Sequence, residues 1–163
     1  MTGPSLHPDP WRDVDAQPNA AQLATTLELR GRARPQARLR RRFLRFARLR
    51  PGAAVLEVGC GTGVVLRDVA AMVGRRGSVV GVDPSLTILS VARRLCRRAP
   101  GGPRIALRRA DGAKLPFGAG RFDAALAITV ILHVADPLKV VSEMARVVKR
   151  GGTVGLQDQD FGV

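Results

Sequence analysis

Residues 55–63 read VLEVGCGTG, and the positions able to do chemistry begin there. Gly59, Gly61 and Gly63 fall within five residues, after an apolar run and before a helical pattern. Backbone without Cβ atoms accepts unusual φ values and lets amide groups approach a ligand closely. Two carboxylates answer it further along the chain: Asp83 in VVGVDPS, twenty residues beyond Gly63, and Asp111 in ADG. A carboxylate at the first place can accept two hydrogen bonds from a ribose diol, and one at the second can accept from an exocyclic amine such as that of adenine. Each feature alone has a plain structural use, the glycines as a tight turn and Asp83 as a capping acid. In combination they describe a nucleoside pocket.

What the nucleoside carries is read from spacing and charge. The dinucleotide fingerprint GxGxxG seats a pyrophosphate on a helix N-terminus, whereas here GCGTG runs straight into Val64 and Val65, so the third glycine comes one residue early. Glu57 stands two positions before Gly59. A carboxylate there repels a diphosphate and attracts an ammonium, which favours a ligand with a cationic tail over NAD(P) or FAD.

Such a site needs strands that end beside one another. Residues 53–58 form a continuous apolar run that reads as a strand, and 64–73 as a helix stopped by Gly74. A second strand is expected at 78–82, then a helix from a Ser85 cap through 98 with Leu86, Leu89 and Leu95 among its apolar positions. Ala99-Pro-Gly-Gly-Pro103 breaks that helix. Strands are expected at 104–109 and 122–128, with no helix between Asp111 and Gly120. Asp136 and Pro137 open a further helix with Val140, Val141, Met144, Val147 and Val148 inward, Lys149 and Arg150 complementing its dipole and Gly151 as the left-handed stop. A fifth strand begins at 153–157. Alternating strands and helices, with strands apolar throughout, imply an α/β fold in which helices cover both faces of a parallel sheet. Ahead of it, Asn19 is placed to cap a short helix ending at Gly31. A second helix after Pro35 carries Leu39, Phe43 and Phe46 as an apolar stripe.

These motifs together resemble the class I, seven-stranded, Rossmann-like S-adenosylmethionine-dependent methyltransferases over residues 53–160, in particular the small-molecule branch that includes ubiquinone and menaquinone biosynthesis enzymes. The resemblance rests on EVGCGTG at 57–63, GVDPS at 81–85, ADGAKLPF at 110–117, Phe122-Asp123, HVADP at 133–137 and VVKRGG at 147–152. It implies transfer of a methyl group to O, N or C of a small-molecule acceptor, with S-adenosyl-L-methionine as cofactor and no metal. Gly59, Cys60, Gly61 and Gly63 would approach the methionine part, with Glu57 at its amino group. Asp83 would hold the ribose, Pro84 and Leu86 would border the adenine, and Asp111 would accept from the adenine amine beside Gly112. Ile128 and Thr129 would border the reactive methyl. His133 is the candidate general base, with Asp158 and Asp160 on the acceptor side.

The resemblance also sets the expected organisation: an irregular arm at 1–18, a helical lid at 19–50, and a cofactor-binding core at 51–163 that stops after strand five, without the family's β6–β7 portion. An open edge on strand five points to a homo-oligomer or a covering partner, and to a second reading in which the chain is a partner-dependent or non-catalytic cofactor-binding fragment. The formal net charge of +14 comes almost wholly from arginine, only three of the 27 Lys and Arg residues being lysine. Ten arginines lie between Arg30 and Arg50, enough to steer an acidic acceptor or RNA. An RNA methyltransferase is the less favoured alternative, since the chain has no tyrosine and a single tryptophan, Trp11, and so offers poor stacking platforms. No apolar run approaches a membrane span. The N-terminus has no secretory pattern, and two cysteines in a chain of 163 residues suggest a reducing, cytoplasmic setting.

Overall fold

The computed structural model describes residues 9–97 and 102–158. Two helices, α1 (Ala20–Arg32) and α2 (Arg34–Phe46), precede the alternating part. That part runs β1 (Ala54–Val58), α3 (Val64–Val73), β2 (Ser78–Asp83), α4 (Leu86–Cys96), β3 (Ile105–Arg109) and β4 (Phe122–Ile128). It continues through a single 3₁₀ turn at Ile131–His133 to α5 (Pro137–Val147) and β5 (Val148–Gln157). The strands form one parallel sheet in the order β3-β2-β1-β4-β5, so the glycine loop after β1 lies at the centre of the sheet's carboxyl edge.

Strand periodicity divides the core in two. Val55, Val79, Ala124 and Leu126 pack beneath Leu44 of α2, Leu66, Val69 and Val73 of α3 and Leu89 of α4. Leu56, Val58, Val80, Val82, Ala125 and Ala127 face Val140, Met144 and Val147 of α5, with Leu115 and Phe117 of the β3–β4 connection completing that layer. The connection is not helical and is held by side chains: Glu143 Oε2 accepts from the Leu115 amide at 2.8 Å, while Arg146 donates to the Leu115 and Phe117 carbonyls.

Helix starts follow the expected caps. Ser85 Oγ accepts from the Ile88 amide at 3.1 Å and Asp136 Oδ1 from the Lys139 amide at 2.9 Å, each satisfying an orphan first-turn donor. Asn19 occupies the position before α1, but its side chain makes no capping bond; α1 also runs past Gly31 to Arg32. The residues expected to end α4 at 98 lie outside those described.

Two expectations are overturned. Gly151 does not stop α5, which ends at Val147 and passes directly into β5. Its φ of +76° instead serves an irregularity within β5, where the pairing with β4 shifts between Phe122 and Ala124. Lys149 accordingly lies in β5 and pairs with Asp123 at 2.7 Å instead of facing a helix dipole. The apolar stripe expected on α2 is also rotated. Leu44 and Arg40 are buried, whereas Leu39 and Phe46 are 46% and 73% exposed. Arg40 goes inward because its charge and hydrogen bonds are met there: Nε donates to Asp68 Oδ2 and Nη1 to the Gly31 carbonyl, both at 2.7 Å.

Candidate functional site

The β1–α3 loop turns through three left-handed glycines, with φ of +65° at Gly59, +53° at Gly61 and +79° at Gly63. Each has a different neighbour. A Cβ on Gly59 would stand 2.5 Å from Val130 Cγ2, and one on Gly63 would stand 2.5 Å from Cys96 Sγ. Gly63 therefore permits close packing of α3 on α4, while Gly59 and Gly61 line a cavity of about 660 Å³ over the carboxyl ends of β1, β2 and β4.

Around that cavity the structure gathers most of the residues expected from the sequence. Glu57, Gly59, Cys60 and Gly61 come from the end of β1, Asp83 and Pro84 from β2, and Asp111 and Gly112 from β3. Ile128, Thr129 and His133 come from β4 and the segment after it. Gly63 does not line it, and neither does Leu86, which is 49% exposed and turned to the surface; buried Ile88 is the α4 side chain on the wall. Asp158 lies beyond β5 and does not line the cavity, and Asp160 lies outside the described residues.

Glu57 is 2% exposed and its Oε2 has no hydrogen-bond partner among the described residues. Burial, with the nearby Asp83 charge second, pushes its pKa well above the ordinary carboxylate value, and Arg40 only partly opposes this. Asp83 is 7% exposed. Its Oδ2 accepts from the Gly61 amide and its Oδ1 from the Ser85 amide, both at 3.0 Å. It thus fixes the glycine loop against the β2 turn and keeps one lone pair on each oxygen for a further donor. Burial outweighs those amide bonds and raises its pKa as well. Asp111 is exposed, and its Oδ1 is engaged by the Ala113 amide at 2.8 Å. Cys60 is held far above the ordinary thiol range, chiefly by burial and then by the Glu57 and Asp83 charges, so it fills space and is no nucleophile.

At the end of β4, Thr129 takes φ +55°, rare for a β-branched residue. Its amide donates to the Gln157 carbonyl at 2.7 Å, and its hydroxyl to the Ile128 carbonyl. Strain of this kind collects at functional sites. His133 Nδ1 lies 2.7 Å from Asp9 Oδ2. Burial works against the Asp9 charge, but the His133 bond and the Trp11 amide outweigh it and hold its pKa below the usual value. With Asp9 ionised, Nδ1 carries the proton and Nε2 is the ring's remaining nitrogen.

Three contributions are not visible in the sequence pattern. Gln157 of β5 also lines the cavity, and its buried Oε1 has no partner among the described residues. The N-terminal arm contributes as well: Trp11, Val14 and Asp15 form part of the wall. The Asp15 carboxylate accepts from Ser85 Oγ at 2.6 Å, the Leu86 amide at 2.8 Å and the Thr87 amide at 3.2 Å. Those bonds at the positive end of α4 lower its pKa to about 2, the Ser85 hydroxyl contributing most. Lastly, Glu28 of α1 accepts from Thr62 Oγ1 and from Arg67 Nη2, at 2.8 and 2.7 Å, and so ties α1 to the glycine loop. For Asp15 and Glu28 the sequence signal is an acid standing in an irregular or otherwise acid-free segment, and Gln157 carries none.

The contents of the cavity follow from its chemistry. Two buried oxygens, Glu57 Oε2 and Gln157 Oε1, lack donors, and a third group, Asp83, has lone pairs to spare. A ligand that fits must donate hydrogen bonds at separate places and bring positive charge near Glu57. S-adenosylmethionine meets those demands through its ammonium and ribose hydroxyls, and the left-handed backbone at Gly59 and Gly61 leaves room that a Cβ would take.

Comparison with known proteins agrees. Residues 56–156 match the family model described as a methyltransferase domain. An O-methyltransferase of Pyrenophora dematioidea is 30% identical over 94% of this chain and 52% of its own length. A demethylmenaquinone methyltransferase of Symbiobacterium thermophilum is 37% identical over 69% of this chain and 45% of its own. Among solved structures, a putative methyltransferase from Bacillus halodurans superposes with a TM-score of 0.68 at 30% identity, covering 74% of this chain and 51% of that one. The chain spans about half the length of these curated relatives.

Proposed function

The chain belongs to the methyltransferase domain family, and from that premise we propose that it transfers a methyl group from S-adenosylmethionine to O, N or C of a small-molecule acceptor. The observation that carries the proposal is the pair of unpartnered buried oxygens, Glu57 Oε2 and Gln157 Oε1, in one cavity with the glycine loop. When bound, the cofactor supplies a methyl on a sulfonium sulfur, and displacement by an acceptor depends more on alignment than on acid–base help.

In this reading Glu57 accepts from the ammonium, and Gly59, Cys60 and Gly61 present backbone to the methionine part. Asp83 takes the ribose hydroxyls on its spare lone pairs, Pro84 and Ile88 border the base, and Asp111 with Gly112 faces the exocyclic amine through the oxygen its own turn leaves open. Thr129 and Ile128 stand beside the reactive methyl, and Gln157 orients the acceptor. His133 removes the acceptor proton through Nε2, its ring held by Asp9. Helices α1 and α2 act as the lid. The relatives named as O-methyltransferase and demethylmenaquinone methyltransferase support a small-molecule acceptor over RNA. Two free, buried cysteines support a cytoplasmic setting.

A second element covering the β5 edge is supported by Val154 and Leu156, both more than a third exposed on that strand. Native mass spectrometry checks it. Isothermal titration with S-adenosylmethionine and S-adenosylhomocysteine tests the cofactor reading: binding at a single site is expected, and none to a folded sample refutes it. Release of S-adenosylhomocysteine on adding small hydroxylated acceptors tests turnover.

A further inference from the structure

Helix α2 presents a surface that the methyl-transfer reading does not use. Its sequence, RPQARLRRRFLRF, contains no acidic residue. At 100° per residue, Arg34, Arg38, Arg41 and Arg45 share one exposed stripe, and with Arg32 they line a surface recess of about 650 Å³ separate from the cofactor cavity. None of these five arginines makes an ion pair among the described residues. Beside the stripe, Leu39 and Phe46 lie two helical turns apart on a common line and are the exposed side chains described above. No ordinary core demand explains a phenylalanine so open at the rim of an unpaired cationic row.

We propose that α2 is a docking face for an anionic lipid surface, with Leu39 and Phe46 entering the headgroup–acyl boundary and the arginine stripe lying on lipid phosphates. The combination decides among occupants. Arginines flanked by exposed Phe and Leu are the pattern of a helix lying in the interface plane, and each cation near an anionic leaflet adds to the attraction. A second copy of the chain would bring another strongly cationic face against this one, which charge disfavours. A nucleic acid would use the arginines but leave the aliphatic Leu39 without a role. The opposite side of α2 carries Gln36 and Arg40, both on the wall of the cofactor cavity. Docking therefore sets the helix between that wall and the lipid. The binding itself does not depend on methyl transfer.

The test is co-sedimentation of the full chain with phosphatidylcholine vesicles and with mixed phosphatidylcholine–phosphatidylglycerol vesicles. Partition into the mixed vesicles, weakened by salt and nearly absent on phosphatidylcholine alone, is expected. Arg38→Glu with Arg41→Glu should cut partition about tenfold or more, and Phe46→Ser about tenfold. All three positions are exposed, so an unchanged melting curve confirms folding. Failure to partition into the mixed vesicles overturns the proposal. So does partition indifferent to Phe46→Ser with equally tight RNA retention, which would make the stripe a nucleic-acid surface. An oligomer dissolved by Phe46→Ser on size exclusion also overturns it, by identifying a second copy as the occupant.

Discussion

Glu57→Gln separates a binding group from a structural one, because its two expected effects have opposite signs. In the ligand-free protein the carboxyl is buried with one oxygen unpartnered, and burial raises its pKa. An acid whose folded pKa lies above its unfolded value holds its proton more tightly in the folded state. Its ionisation therefore erodes stability as pH climbs from the ordinary carboxylate range through the raised value. Glutamine keeps the shape and removes the charge. The variant should match the parent in acid, where both forms are neutral, and exceed it by about 1–3 kcal/mol at mildly alkaline pH, the cost scale of a poorly satisfied buried polar group. For a chain of this size that is about 2–4 °C in Tm per kcal/mol.

Cofactor affinity should move the other way. Losing a hydrogen bond between two charged groups costs about 1.5–3 kcal/mol, or roughly 10- to 100-fold in Kd. Because an arriving ammonium favours the ionised carboxylate, parent binding should release protons, seen as a buffer-dependent titration enthalpy. Glu57→Gln should abolish that dependence. Titrations in two buffers, with melts across the same pH range, check all three effects. A variant that is destabilised and binds as well as the parent would refute the reasoning, since Glu57 would then be a structural acid with no ligand.

Gly59→Ala places a Cβ 2.5 Å from Val130 Cγ2 in a left-handed backbone; the backbone alone costs about 1–2 kcal/mol, so denaturant unfolding should show at least that loss, with cofactor binding gone. Asp15→Asn removes a carboxylate whose folded pKa is lowered to about 2. Its contribution is present above the ordinary carboxylate pKa and is lost as pH falls toward 2. At this exposed position it is worth at most about 1 kcal/mol, and faster tryptic cleavage at Arg12 should report its loss at neutral pH. His133→Gln should lower kcat about 100-fold, the usual scale for a general base, with the cofactor Kd unchanged. A normal kcat would leave His133 as a tether for Asp9.

What the sequence shows depends on how far apart the partners are. The limits of β4 and α3, and the Ser85 and Asp136 caps, were legible because each rests on an apolar run or on a bond spanning three residues. The orientation of α2 was not, because Leu39, Phe43, Leu44 and Phe46 fit more than one apolar line among its arginines. The side turned inward is chosen by Asp68, 28 residues from Arg40. Gly151 was misread for a related reason: a glycine after a helix usually marks its stop, yet here the β4–β5 register shift claims it. At the site, the glycines and acids on consecutive strand ends announced themselves by order. Gln157 did not, being one more amide in a polar tail until β5 pairs beside β4.

The same distances explain why the N-terminal segment belongs to the site. Its ties fall on separate parts of the cavity rim: Glu28 on the loop after β1, Asp15 on the turn after β2, and Asp9 on the segment after β4. Arg40 adds a fourth to α3 through Asp68. The glycine loop by itself would allow many nucleotides, because backbone amides recognise little beyond an acceptor. In the proposed reading, selectivity for a cationic tail comes from Glu57, which is buried at the end of β1. On that proposal the motif would supply the approach to the ligand, and the residues far from it in sequence would supply the low-dielectric surroundings in which one unpartnered oxygen becomes a demand for an ammonium.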